Sequence, residues 1–286
     1  MDHTNRFVKL CLTAMLALPL GILSAQPVSA ASAKGKILLI ASSENTLELA
    51  NHTAMPTGFF LNELAVPAEY LTEKGWQIVL ATPEGKAPAM DQGSNDKKFF
   101  QGSEKERAKA EAFAQSLQPI SFQQVLKNGL DQYDALFIPG GHAPMGSLME
   151  NRELGTILKD FHAKQKPTAM ICHGPAASLA ALPDPAAYRK ALVERDVKSV
   201  LSLGKSWIYD GYAMTALSDA EEWPGEIAKG TEMPFHLEQA LQLSGARIQV
   251  QGMNQSHVVK DRELITGQNP ASDLELAKAL EKALEK

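Results

Sequence analysis

The chain has 286 residues, is 44% apolar, and sets 28 Lys and Arg against 33 Asp and Glu for a formal net charge of −5. A mildly acidic chain without a basic stripe makes no case for nucleic acid or an anionic membrane surface as partner, and this length suits one large α/β domain behind a leader. Its two cysteines, Cys11 and Cys172, are too few for a disulfide framework.

Arg6 and Lys9 precede an apolar stretch over 10–23, interrupted by Pro19 and Gly21, and small residues follow up to Val28-Ser29-Ala30. This is the layout of a secretory signal peptide over residues 1–30, cleaved after Ala30. The stretch is short for a membrane span, the alternative being an uncleaved anchor. Cleavage removes Cys11, leaves Cys172 as the single thiol, and leaves no stable membrane insertion. The mature domain, 31–286, is then expected across the inner membrane, in the periplasm.

Lys36-Ile-Leu-Leu-Ile-Ala41 is an all-apolar run expected of a strand buried on both faces. Residues 57–74 have helical spacing and stop at Gly75, a favourable C-cap. A strand over 77–81 ends at Pro83-Glu-Gly85, and the polar stretch 86–96, with Pro88 and Gly93, is a surface loop. Residues 103–117 and 121–128 read as helices. Ala135-Leu-Phe-Ile-Pro139 is a third strand and opens onto Gly140-Gly-His-Ala-Pro144. A helix over 152–163 precedes Thr168-Ala-Met-Ile-Cys-His-Gly-Pro-Ala-Ala177, which reads as a buried strand, a tight turn and a helix starting near Pro175. The last third is less regular. It is expected to hold a strand over 213–217, a helix over 232–243, a strand over 246–250 and a hairpin from His257 to Thr266. A final helix follows, capped by Ser272 with Asp273 and Glu275 in its first turn. Alternation of strands and helices predicts one α/β domain on a doubly wound, mostly parallel sheet sandwiched by helices, with Gly140-Gly141 and Cys172 at the carboxyl ends of strands.

Cys172 is the candidate nucleophile. At a strand-to-helix turn it is expected to face the positive end of a helix dipole, which favours thiolate; the alternative is a buried structural cysteine. The His173 ring can serve the thiol as base, or simply cap the helix. The backbone N–H of His173 is well placed for an oxyanion hole, and the Gly140-Gly141 pair either supplies a second donor or is simply a turn. Glu63 shares a helical stripe with Phe59, Val66 and Tyr70, so either a carboxylate interrupts an apolar face or the stripe is displaced by one position. A buried Glu63 would have a raised pKa suited to proton transfer. Pro67 denies the Glu63 carbonyl its helical N–H and predicts a kink. Glu222 reads either as part of a capping box with Asp219 or as the acid that orients His173. The seven histidines show no paired ligand spacing, so no metal is expected.

Together, Gly58-Phe-Phe-Leu-Asn-Glu63, Phe137-Ile-Pro-Gly-Gly-His142, Ala169-Met-Ile-Cys-His-Gly-Pro175 and Thr266-Gly-Gln-Asn-Pro-Ala-Ser272 resemble the DJ-1/PfpI superfamily, within it the heat-shock chaperone/glyoxalase III branch. The resemblance runs from about Lys36 to the C-terminus. It implies a flavodoxin-like fold of the class I glutamine amidotransferase-like type, a homodimer, and a cofactor-free enzyme acting on a small carbonyl substrate. By the same resemblance Cys172 is the nucleophile, His173 its partner, Glu222 (or Glu221, one register away) the orienting acid, and Glu63 the acid beside the thiol, with the oxyanion donors on the backbone of Gly141 and His173. Three departures stand out: the apparent export, Ala143-Pro-Met-Gly146 in place of a glycine-rich continuation, and no counterpart of the metal-binding histidines of some relatives. Glutaminases of this fold carry a glycine two before the nucleophile and a distant His-x-Glu. Here Met170 and His257-Val-Val stand instead, which disfavours that chemistry. The expected activity is a glutathione-independent glyoxalase III, converting methylglyoxal and similar 2-oxoaldehydes to 2-hydroxy acids through a Cys172 hemithioacetal. The alternatives are a thiol amidase or peptidase, and a stress holdase or redox sensor of the cell envelope.

Overall fold

The computed structural model describes residues 33–285; the expected signal peptide lies outside them. Seven strands form one sheet in the order Val258–Asp261, Leu264–Gly267, Thr168–Ile171, Ala135–Ile138, Lys36–Ile40, Gln77–Thr82, Ile120–Ser121. Every neighbouring pair is parallel except the edge pair Val258–Asp261 and Leu264–Gly267, the expected hairpin. This is the mostly parallel α/β sandwich that the alternation predicts.

Apolar runs in the central strands serve two cores at once. Ile37 and Leu39 face one helical layer while Leu38 and Ile40 face the other, and all four are fully buried. Ala135 and Phe137 against Leu136 and Ile138, and Ala169 and Ile171 against Met170, divide in the same way. On one side lie α1 (Leu61–Glu73), α2 (Glu104–Ser116) and, from the far end of the chain, α9 (Asp273–Leu284). On the other side lie α3 (Phe122–Asn128), α4 (Arg152–Ala163), α5 (Pro185–Val193), α6 (Val197–Leu203) and α8 (Leu237–Leu243). Caps fix several starts: the side chains of Ser103, Ser121, Asn151 and Asp184 accept from the first turns of α2, α3, α4 and α5.

Boundaries depart from expectation where tertiary contacts outweigh local pattern. α1 begins at Leu61 rather than 57, because residues 57–60 are drawn against the loop at 89–91: Phe59 N–H donates to the Ala89 carbonyl and Asp91 N–H to the Phe59 carbonyl. α1 then runs on through Pro67. The expected strands over 213–217 and 246–250 shrink to the two-residue pair Ala213–Met214 and Arg247–Ile248. The helix expected from 232 starts only at Leu237, since Met233 N–H is held by the Glu226 carboxylate. Ser272 precedes α9 without capping it; its hydroxyl accepts from His257 N–H instead.

Candidate active site

The Thr168–Ile171 strand ends at Cys172, whose φ of 60° lies in the left-handed region that a non-glycine residue rarely adopts. The strained turn is clamped at both ends: Cys172 N–H donates to the Gly267 carbonyl at 2.9 Å, and its own carbonyl accepts from Leu217 N–H at 3.0 Å. After it, Gly174–Ala181 is a fully buried 3₁₀ helix rather than the expected α-helix. Its small residues let it lie close to the sheet; a Cβ on Gly174 would stand 2.6 Å from the Ile138 carbonyl oxygen.

The elbow aims Sγ at the His173 ring, 3.5 Å from Nδ1, and His173 Nε2 lies 2.6 Å from Glu222 Oε2. Cys172, His173 and Glu222 therefore form a continuous thiol–imidazole–carboxylate relay. Glu222 is the acid in contact with the imidazole, and Glu221 is not. Helix α7 (Asp219–Lys229) starts one residue earlier than the sequence suggested, with Ser218 at its N-cap and Glu221 closing the capping box. Glu221 also holds Gln268 and Asn269 at 2.8 Å each, which ties the start of α7 to the loop beyond Gly267. The structure thus assigns the capping role given to Asp219 and Glu222 to Ser218 and Glu221, and frees Glu222 for the imidazole.

Glu63, on the first turn of α1, is fully buried. Its Oε2 accepts the Gly140 N–H at 3.0 Å, and its Oε1 has no hydrogen-bond partner in the protein. A Cβ on Gly140 would lie 2.5 Å from Glu63 Oε2 and 2.6 Å from Cys172 Cβ, so acid and thiol close in on that glycine from two sides. Burial pushes the Glu63 carboxyl up to about 8, against the opposing pull of the Cys172 thiol and the Gly140 N–H. The stripe on α1 is thus in register, and its carboxyl faces inward.

Burial also pushes the Cys172 thiol well above its ordinary range, and neighbouring Glu63 adds to this, while the Gly141 N–H at the sulfur works the other way. The expectation of a dipole-favoured thiolate is therefore overturned: desolvation and an adjacent acid outweigh the short 3₁₀ turn. The His173 imidazole is lowered by burial and by His142, so the neutral ring is favoured, with Nε2–H donated to Glu222 and Nδ1 open to the thiol proton. Burial alone would raise Glu222, but the two imidazoles beside it prevail and hold it well below the usual carboxylate range.

The second imidazole is His142, a residue of the quoted Gly-Gly-His motif that local pattern leaves without a role. Its Nε2 lies 3.0 Å from Glu222 Oε1, and its ring centroid is 4.2 Å from that of His173. Eighty positions separate His142 from Glu222, so no local spacing could have joined them. Gly141, at φ +84°, makes the close turn that brings His142 round; a Cβ there would strike the Gly58 carbonyl at 2.1 Å. Only narrow access remains: Cys172 is 4% and His173 2% exposed.

A DJ-1/PfpI family model matches residues 53–184. A protein/nucleic acid deglycase HchA of Pseudomonas aeruginosa is 26% identical over 259 residues, covering 87% of this chain and 80% of that protein. A rapid encystment protein of Francisella tularensis superposes with a TM-score of 0.64 at 25% identity, over 87% of this chain and 99% of the other. A glyoxalase III of Candida albicans shares the fold, with a TM-score of 0.61 at 23% identity over 87% and 97% of the two chains.

Proposed function

The chain belongs to the DJ-1/PfpI superfamily, and on that premise we propose that it is a glutathione-independent glyoxalase III, converting methylglyoxal and similar 2-oxoaldehydes to 2-hydroxy acids. The likeness to a deglycase over most of both chains supports a deglycase/glyoxalase-type activity as the broad class. One observation carries the finer assignment: a second acid, Glu63, buried beside the nucleophile, with one oxygen unpartnered and a pKa of about 8. Acyl transfer by a thiol, imidazole and carboxylate has no use for such a group. An internal redox shift between two adjacent carbons needs one.

In the proposed cycle His173 Nδ1 takes the thiol proton as Sγ adds to the aldehyde carbon, so no free thiolate has to accumulate. The proton passes on to the new alkoxide, whose developing charge faces the N–H groups of Gly141 and His173. Glu63 in its charged form removes the hydrogen from the thiohemiacetal carbon as a proton, giving an enediolate, and returns it to the neighbouring carbon, while the hydroxyl proton of the first carbon passes to the oxygen of the second. The aldehyde carbon has then become a thioester and the ketone an alcohol. Water activated by His173, which Glu222 holds in the required tautomer, cleaves the thioester and restores the thiol. Methylglyoxal plus water thus gives lactate with no external oxidant. The narrow approach to Cys172 supports a substrate of this size over a peptide, and the pattern of residues 1–30 supports a periplasmic place of action.

Purified protein, freed of glutathione, should form lactate from methylglyoxal, and Cys172→Ala should lower turnover to background. An alanine variant that retains turnover overturns the mechanism. Faster release of acyl groups from thioesters or amides than of lactate would favour a thiol hydrolase instead.

A further inference from the structure

We propose that His142, His173 and Glu222 form a site for a divalent transition-metal ion of the zinc class, and that occupying it switches the catalytic thiol off. The three residues come from three separate parts of the fold: the Gly140-Gly141 turn, the residue after the nucleophile, and the first turn of α7. One donor atom from each falls within 4.8 Å of the other two. Both imidazoles present Nε2 to a single carboxylate, one to each oxygen, at 3.0 and 2.6 Å. A relay needs one imidazole on its acid. The second, His142, does not touch the thiol, yet it completes a set of two imidazole nitrogens and one carboxylate. That set is the donor chemistry zinc, cobalt and copper ions prefer, with a position left for water.

Access fits the same picture. The side chains of His142 and Glu222 are 18% and 12% exposed, so an ion can arrive from the solvent side without unfolding the core. The thiol is not in the ligand set. Sγ meets His173 at Nδ1, on the side of the ring opposite Nε2. This feature sets the consequence. Coordination through Nε2 uses the lone pair of that nitrogen, so the ring proton must sit on Nδ1. Nδ1–H then points at Sγ as a donor and cannot accept the thiol proton. Glu222, engaged by the ion, no longer fixes the reactive tautomer. Both effects remove the base while the nucleophile stays in place.

Direct binding tests this apart from any assumption about the substrate. Metal-free protein titrated with cobalt(II) should develop the strong visible ligand-field bands of a four-coordinate site, saturate at one ion per chain, and lose them on addition of zinc(II). His142→Gln keeps a hydrogen-bonding side chain for Glu222 but removes a good ligand; it should weaken binding by on the order of tenfold or more. A thermal melt like that of the native protein shows that this variant is folded. Cys172→Ala should bind cobalt unchanged, with no sulfur-to-metal charge-transfer band in either protein. Unchanged binding in His142→Gln, a charge-transfer band lost in Cys172→Ala, or the absence of four-coordinate cobalt bands each overturns the proposal. Lactate formation that is lost on removing the metal and restored by zinc(II) overturns the switch, whereas a protein that forms no lactate with or without metal fails the proposed reaction and not the site.

Discussion

Replacing Glu63 with Gln keeps the shape of the side chain and the acceptor for the Gly140 N–H while removing the titrating proton, so it isolates the energetic consequence of burying this acid. In the folded protein the carboxyl titrates at about 8, against 4.5 for an exposed glutamate. Between those limits the unfolded chain has released the proton and the native state has not, so folding takes one up and stability falls as pH rises. The slope is about 1.4 kcal/mol per pH unit, and the full window corresponds to about 5 kcal/mol, a large part of the stability of an ordinary domain. The native protein should therefore lose stability relative to Glu63→Gln from about pH 5 upward, and the difference should level off above about pH 8. Denaturant unfolding of both proteins at half-unit pH steps measures it. The variant should also lack lactate-forming activity although its stability no longer falls between pH 5 and pH 8 through this group. Parallel stability profiles would refute the buried, protonated Glu63, and with it the proton shuttle.

Other perturbations read other parts of the site. Glu222→Gln should leave the fold intact and lower turnover by on the order of 10²–10⁴-fold, read in steady-state kinetics, because the amide cannot support an imidazolium. Glu221→Ala, one residue away, should behave differently: loss of the capping box and of the Gln268 and Asn269 contacts costs about 1–2 kcal/mol in denaturant unfolding, with a smaller kinetic effect. Gly140→Ala, whose Cβ would collide with both Glu63 Oε2 and Cys172 Cβ, should abolish turnover and thiol alkylation should show the altered environment of Cys172.

The sheet was legible because its central strands are apolar on both faces, and runs such as Ile37 to Ile40 admit few other folds. Cys172 and Glu63 were legible for a related reason, each being a reactive group within an apolar pattern. What escaped lay in contacts between distant segments. His142 meets Glu222 only after the Gly140-Gly141 turn and the start of α7 have been brought together. The N-cap of α7 shifted by a single residue, from Asp219 to Ser218, because Ser218 and Glu221 satisfy each other while Gln268 and Asn269 hold Glu221 in place. The 3₁₀ form of Gly174–Ala181 and the pKa of the thiol follow from close contact with the sheet and from burial, which local sequence does not encode.

The two backbone hydrogen bonds on Cys172 tie chemical competence to completion of the chain. The elbow draws its acceptor from Gly267 and its donor from Leu217, both later in the sequence than the nucleophile itself. An N-terminal fragment that includes the strand and the cysteine lacks the two clamps, the acid Glu222 and the loop that secures α7. Such a fragment has a cysteine without an elbow, free to relax out of its left-handed backbone. The thiol–imidazole–carboxylate relay is therefore assembled only once these later segments are in place, and a chain that stops short of them leaves Cys172 without its elbow.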